Sequence, residues 1–189
     1  MRGIAKKELR IADVIQRRRE GAMVRAGYRD LIIRVLLLGI IAWLVLTYGF
    51  LITQCSGQAM YPAIKDGDLC ILFRDPTLRL VGEQYAAGDV VAYRIEGKRH
   101  FGRVIAIGGD TVQLEGGSVT VNGVTEGEGI LYPTYLRSGE TVYIQSVQND
   151  TLYVLGDYRT HTEDSRDFGP IPLDSVEGKV ISILRRRGL

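Results

Sequence analysis

The sequence predicts a mostly β body behind a single membrane-spanning helix, and three observations carry that prediction. Eighteen residues, Val35–Ile52, run without a charge. Ahead of them, residues 1–34 hold ten Lys/Arg against four Asp/Glu, whereas the rest of the chain holds fourteen against eighteen. After them the pattern changes to short β-branched and aromatic runs punctuated by Gly, Asp and Asn.

As a helix, the apolar run reaches roughly 27 Å, close to the hydrocarbon thickness of a bilayer. Arg34 can snorkel at one interface, and Trp43 or Tyr48 suits the other. A buried soluble helix is the bland alternative. A cleaved leader fits less well, because the run is long and no small-residue cleavage pattern follows it. The basic flank places the N-terminus in the cytoplasm and the body outside the cell membrane. We therefore expect a basic cytoplasmic segment over 1–30, a transmembrane helix over 31–52 and an extracytoplasmic domain over 53–189. Ile4, Leu9, Ile11, Val14 and Ile15 among the basic residues fit a helix on an anionic leaflet, or a plain tail that fixes orientation. The chain's 189 residues, 46% of them hydrophobic, suffice for one core besides this anchor.

Strands are expected near Leu69–Arg74, Asp89–Ile95, Phe101–Ile107, Thr111–Leu114, Val119–Asn122, Thr151–Leu155 and Gly178–Leu184. Glu115-Gly116-Gly117 reads as a hairpin turn, while Asp75–Ala87 and Thr125–Tyr143 read as longer connections. One mostly antiparallel β domain follows. Cys55 and Cys70 lie in the exported part, where a disulfide is permitted; a buried free thiol at Cys70 is an equal reading. With only His100 and His161, and no ligand spacing, we expect no metal and no cofactor. The charge distribution points to membrane topology and not to nucleic acid.

The chemistry concentrates in Gln54–Asp68, QCSGQAMYPAIKDGD. Gly57 permits a bend, Pro62 favours an extended Tyr61, and Lys65-Asp66-Gly67-Asp68 reads as a turn. Three further boxes follow in order: Gly88–Val91, Gly102–Asp110 and Gly156–Gly169. Gly57, Met60, Pro62, Gly67 and Asp68 match the nucleophile box of type I signal peptidases. The second box matches the Gly-Asp-Val-Val start of a core strand. The third matches Lys-Arg-Val-Ile-Gly-Leu-Pro-Gly-Asp, and the fourth matches Gly-Asp-Asn-Arg with Ser-x-Asp-Ser-Arg and Phe-Gly. The ordered set resembles the type I signal peptidase family in its compact Gram-positive form, over about residues 30–185. That resemblance implies a signal-peptidase-type antiparallel β-sheet domain.

The family is implied to use a Ser–Lys dyad, in which a hydroxyl attacks the scissile carbonyl and a neutral lysine removes its proton. Here Ala59 stands at the serine position and Gly102 at the lysine position. Removing a catalytic serine costs roughly 10⁶-fold, on the order of 8 kcal/mol. On a regular strand Ser56 points away from position 59, His100 lies about 7 Å from position 102, and Lys98 lies twice as far. Thr162 takes the position of the family's helper serine, with nothing evident to activate it. A trapping substitution would account for Ala59 and leave Gly102 unexplained. The chain is most similar to the inactive, pilus-associated members of the family.

Around the vacated dyad, Gly57, Gln58, Met60, Pro62 and Ile105 are expected to line a groove whose strand edge pairs with an extended peptide. Asp157, Arg159, Thr162, Asp164, Ser165 and Arg166 are expected to hold the neighbouring loop. The implied partners are the membrane and an exported preprotein or pilin segment, with a sortase alongside. The competing reading is an active signal peptidase, a serine endopeptidase that matures exported preproteins. The fold of self-cleaving repressors is a third, disfavoured by the apolar span and by the lack of a DNA-binding head.

Overall fold

The computed structural model describes residues 28, 29, 31–126, 131–137 and 142–185. The basic segment expected to lie on the inner leaflet falls almost wholly outside them. Helix α1 (Leu31–Gly49) is long and apolar enough to cross a membrane. Its side chains from Leu31 to Tyr48 are exposed all round, which suits lipid and not the stripe of a soluble helix.

The helix stops three residues before the expected end of the span. Phe50, Leu51 and Ile52 instead open strand β1 (Phe50–Gln54), which pairs antiparallel with β2 (Leu69–Arg74). Phe50 faces Phe73 and Ile52 faces Ile71, so the aromatic and β-branched residues find cross-strand partners. Hydropathy alone cannot separate an apolar helix from the apolar strand that continues it.

The body is two antiparallel sheets. The seven-stranded sheet runs β1, β2, β11 (Val176–Leu184), β3 (Val90–Ile95), β4 (Lys98–Ile107), β9 (Thr151–Leu155), β10 (Ile171–Pro172). The four-stranded sheet runs β7 (Val124–Thr125), β6 (Ser118–Val121), β5 (Thr111–Glu115), β8 (Val142–Ser146). Gly116 and Gly117, both at positive φ, turn β5 into β6, as the sequence predicts. Helix α2 (Asp75–Leu80) replaces part of the first expected connection, and β8 begins inside the second. Helix α2 was hidden because six residues give too short a window for helical periodicity. Pro76 in the first turn is the local signal for α2.

Alternation on β3 and β4 distributes the core. Val91, Tyr93 and Val104 join Leu78, Leu152 and Val154 on one side. Ala92 and Phe101 join Met60, Ile64, Cys70 and Leu72 on the other. A register shift between Val104 and Ala106 breaks the alternation. Ile105 and Ala106 both enter a third cluster with Val112, Leu114, Tyr153 and Leu155.

Cys55 and Cys70 form a disulfide, which settles the pairing that the sequence left open. Both cysteines are buried, and the bond closes the base of the segment carrying Ala59. Backbone bonds from Cys55 to the Asp68 carbonyl (2.7 Å) and from Gly67 to the Cys55 carbonyl (2.9 Å) close it again. Replacing both cysteines by serine should cost about 2–4 kcal/mol, since the closed loop is of the size for which chain entropy gives ~3 kcal/mol. Denaturant titration of the full chain in detergent measures this. An unchanged midpoint would mean that the backbone bonds alone set the loop.

Candidate functional site

The segment 56–68 is a series of turns and not the extended stretch expected around Tyr61; the Tyr61–Pro62 peptide is cis. The turn at Lys65–Asp68 forms, with Gly67 at positive φ and the Asp68 amide bonded to the Lys65 carbonyl at 3.1 Å. Asp66 and Asp68 brace it by accepting from the amides of Gly57 (2.8 Å) and Lys65 (3.0 Å). Met60 and Ile64 plunge into the core and leave Ala59 partly exposed at the tip. The Ala59 carbonyl accepts from the Tyr158 amide at 2.9 Å.

Gly102 is buried on β4, opposite Val91 on β3. A Cβ built there would collide with a methyl of Val154, and would lie 3.3 Å from the Leu155 carbonyl oxygen and 3.4 Å from the Tyr93 ring. The volume through which a lysine side chain would leave the strand is therefore filled. Gly156, the next residue after β9, touches the other half of the site. A Cβ on Gly156 would lie 2.7 Å from the Ala59 carbonyl oxygen and 2.5 Å from Thr162 Oγ1. Positions 59 and 102 thus flank the same short piece of backbone, Val154–Gly156.

The expected groove residues do not stay together. Gly57, Gln58 and Pro62 are exposed, but Met60 and Ile105 are buried in two different core clusters. Packing claims both apolar side chains, so neither lines an open channel. What lacks a second strand partner is an edge. The β4 ladder with β9 begins at Arg103, so Lys98–Gly102 pairs with β3 on one side and with no described strand on the other.

The loop after β9 is held by buried charge. Asp164 is fully buried, and its carboxylate accepts from the amides of Gly156 (3.2 Å) and Arg166 (3.1 Å) and from the Arg166 guanidinium (2.8 Å). Ser165 Oγ accepts from the Val154 amide at 2.9 Å, so two side chains occupy the free edge of β9. Asp164 and Asp167 also form a capping box on the short helix α3 (Ser165–Phe168). Burial pushes the Arg166 pKa down, but the Asp164 carboxylate outweighs it and the net shift is upward. Arg159, only 2% exposed, reaches the Gly156 carbonyl and Glu126 at 2.8 Å each, and also Thr134. Asp157 takes a bidentate pair from Arg103 at 2.8 and 2.7 Å.

Among the described residues, no replacement dyad is assembled. Thr162 is buried, and its hydroxyl makes only a 3.4 Å contact with the Glu163 carbonyl. His100 is packed between the Tyr93 and Phe168 rings, each 5.5 Å away, and burial pushes its pKa down. Ser56 and Lys98 are exposed. Thr160 Oγ1 does meet His161 Nδ1 at 2.9 Å, but these are exposed chain neighbours. Sequence reasoning missed Val154, whose methyl meets a Cβ built at position 102. The signal was available in the strand pattern, since Val154 is a buried inward residue on a strand flanking β4.

Comparison with known proteins places this geometry. The model for "Signal peptidase, peptidase S26" matches residues 28–184. Signal peptidase I of Bacillus amyloliquefaciens is 24% identical over 135 residues, covering 68% of this chain and 71% of that protein. Signal peptidase IB of Staphylococcus aureus (strain COL) is 28% identical over 152 residues, covering 69% and 76%. A crystal structure of a signal peptidase I from Enterococcus faecalis is 26% identical, with a TM-score of 0.44, and covers 53% of this chain and 98% of that one. A family match spanning Ala59, Gly102 and all four boxes identifies the chain as a member of the signal peptidase family, peptidase S26.

Proposed function

We propose that this protein is a non-catalytic member of its family that holds an exported chain at the membrane, as an accessory or chaperone in export or pilus assembly. The observation that carries the reading is the joint absence of a serine at Ala59 and a lysine at Gly102, with a Val154 methyl where a Cβ at position 102 would go. A hydrolase that had lost one group by chance would retain room for the other. The unpaired edge Lys98–Gly102 supports peptide capture, because an extended segment gains main-chain hydrogen bonds there without any nucleophile. In this reading helix α1 tethers the protein to a bilayer, with the N-terminus cytoplasmic and the body outside. The residues Asp157, Arg159, Asp164, Ser165 and Arg166 then act as scaffold, and Thr162 as packing. A pilin segment, with a sortase acting alongside, is the partner this reading favours.

Family membership favours the competing reading, cleavage of preproteins, and residues 59 and 102 oppose it. Deleting the gene should shorten pilin polymers without the accumulation of uncleaved preproteins. Polymers and pili of unchanged length would remove the accessory role.

A further inference from the structure

Helix α2 ends in two apolar residues that the core does not take. Leu80 is 85% exposed and Val81 59%, while Leu78, on the opposite face, is buried. A closed turn fixes the pair in place. The amides of Val81, Gly82 and Glu83 bond the carbonyls of Thr77, Arg79 and Leu78, each at 3.1 Å, and Gly82 at positive φ sends the chain back. Helical spacing sets Leu80 and Val81 on the face of Thr77, which precedes them by three and four residues. Thr77 Oγ1 donates to the Tyr48 carbonyl, in the last turn of α1, at 3.1 Å. The face that carries the exposed pair is thus tied to the point where the apolar helix ends. Arg74, directly before α2, is half-buried and donates from Nε to the Phe50 carbonyl at 3.3 Å. Among the described residues, its two terminal nitrogens have no protein partner.

We propose that the tip of α2 is a membrane contact of its own, in which Leu80 and Val81 enter the headgroup–acyl boundary of the leaflet where α1 ends, and Arg74 donates to a lipid phosphate. Three observations select a lipid surface. The first is level: Leu80 stands only about 4.5 Å along the helix axis from Thr77, within one turn of the bond to α1. The second is size. Two aliphatic side chains are far less than the roughly 800 Å² per partner that a specific protein interface needs, whereas a bilayer takes up any apolar tip held at its surface. The third is charge. Arg79 is held by Asp75 at 2.9 Å, so Arg74 is the neighbouring cation with donors to spare. A guanidinium with two unused nitrogens matches the paired oxygens of a phosphodiester. The inference rests on reading α1 as a membrane span, and it holds whether the chain cleaves its partner or only binds it.

The test is fluorescence quenching of the full chain in phosphatidylcholine vesicles by lipids brominated near the carbonyl end of the acyl chain. Trp43, the one tryptophan of the chain, lies in α1 and serves as reference, since its quenching shows that α1 is in the bilayer. In a Trp43→Phe background, Leu80→Trp should lose about half or more of its emission to the brominated lipid, as shallow burial requires. Val124→Trp, at a site 72% exposed on the other sheet, should be quenched by aqueous acrylamide and not by the lipid. Adding Arg74→Gln to Leu80→Trp should lower the ratio of lipid-quenched to unquenched lifetime populations about fivefold, the effect of one cation at a membrane surface. Unfolding midpoints confirm that each variant is folded. Quenching of Trp43 without quenching of the Leu80→Trp indole would overturn the proposal and leave the anchor standing. Shielding of that indole from both lipid and acrylamide would mean that protein covers the tip, and would overturn it as well. So would equal lipid quenching at positions 80 and 124, or an Arg74→Gln variant that behaves like its parent. An unquenched Trp43 would remove both the span and this contact.

Discussion

Asp164→Ala should destabilise the folded body by about 3–5 kcal/mol, the cost of breaking a buried ion pair from one side. The side chains of Asp164 and Arg166 are 1% and 2% exposed, so no water replaces the lost partner. The substitution orphans more than the guanidinium. The Gly156 amide loses its acceptor and α3 loses its cap. Arg166 keeps its bonds to the carbonyls of Arg159 (2.6 Å) and Tyr135 (3.0 Å), but those carry no charge. Urea unfolding of the full chain in detergent gives the number. A loss under about 1 kcal/mol would place the pair with exposed bridges and would deny Asp164 its scaffold role.

Gly102→Ala should cost about 1–3 kcal/mol, because one added methyl meets the buried methyl of Val154. Gly102→Lys should cost more, since it also brings an ammonium into apolar surroundings. The cause is specific and therefore separable. Val154→Ala alone opens a cavity and destabilises. Combined with Gly102→Ala it should recover part of the sum, giving a coupling of about 1 kcal/mol or more. Strict additivity of the two single variants would show that Val154 turns aside freely and that the lysine space is not closed. This coupling bears directly on function, because a restored lysine needs the volume that Val154 now holds.

Much of the body was legible in the sequence because its strands carry strong alternation. Leu69–Arg74 and Thr151–Leu155 form at the predicted limits, and the others lie within a few residues of them. The end of the apolar run was not legible, since Phe50–Ile52 satisfies a membrane helix and a paired strand equally well and only β2 decides. The ordered boxes single out positions 59 and 102, but the shape around those positions could not be read from them. Met60 and Ile105 look like groove residues by their place in the boxes, yet each is drawn into a separate core cluster by packing that spans distant strands. The stacking of Tyr158 with Tyr132 and His161 likewise depends on how two loops meet.

The most direct measurement is cleavage of a preprotein reconstituted in the same membrane as the unmodified chain, with an active signal peptidase as reference. The absence of a hydroxyl at Ala59 and an amine at Gly102 predicts a rate lower by roughly 10⁶-fold, which leaves the preprotein intact over the assay. Turnover within about 10³-fold of the reference would contradict this account, and Ser56, Thr162 and His100 would then be the residues to replace.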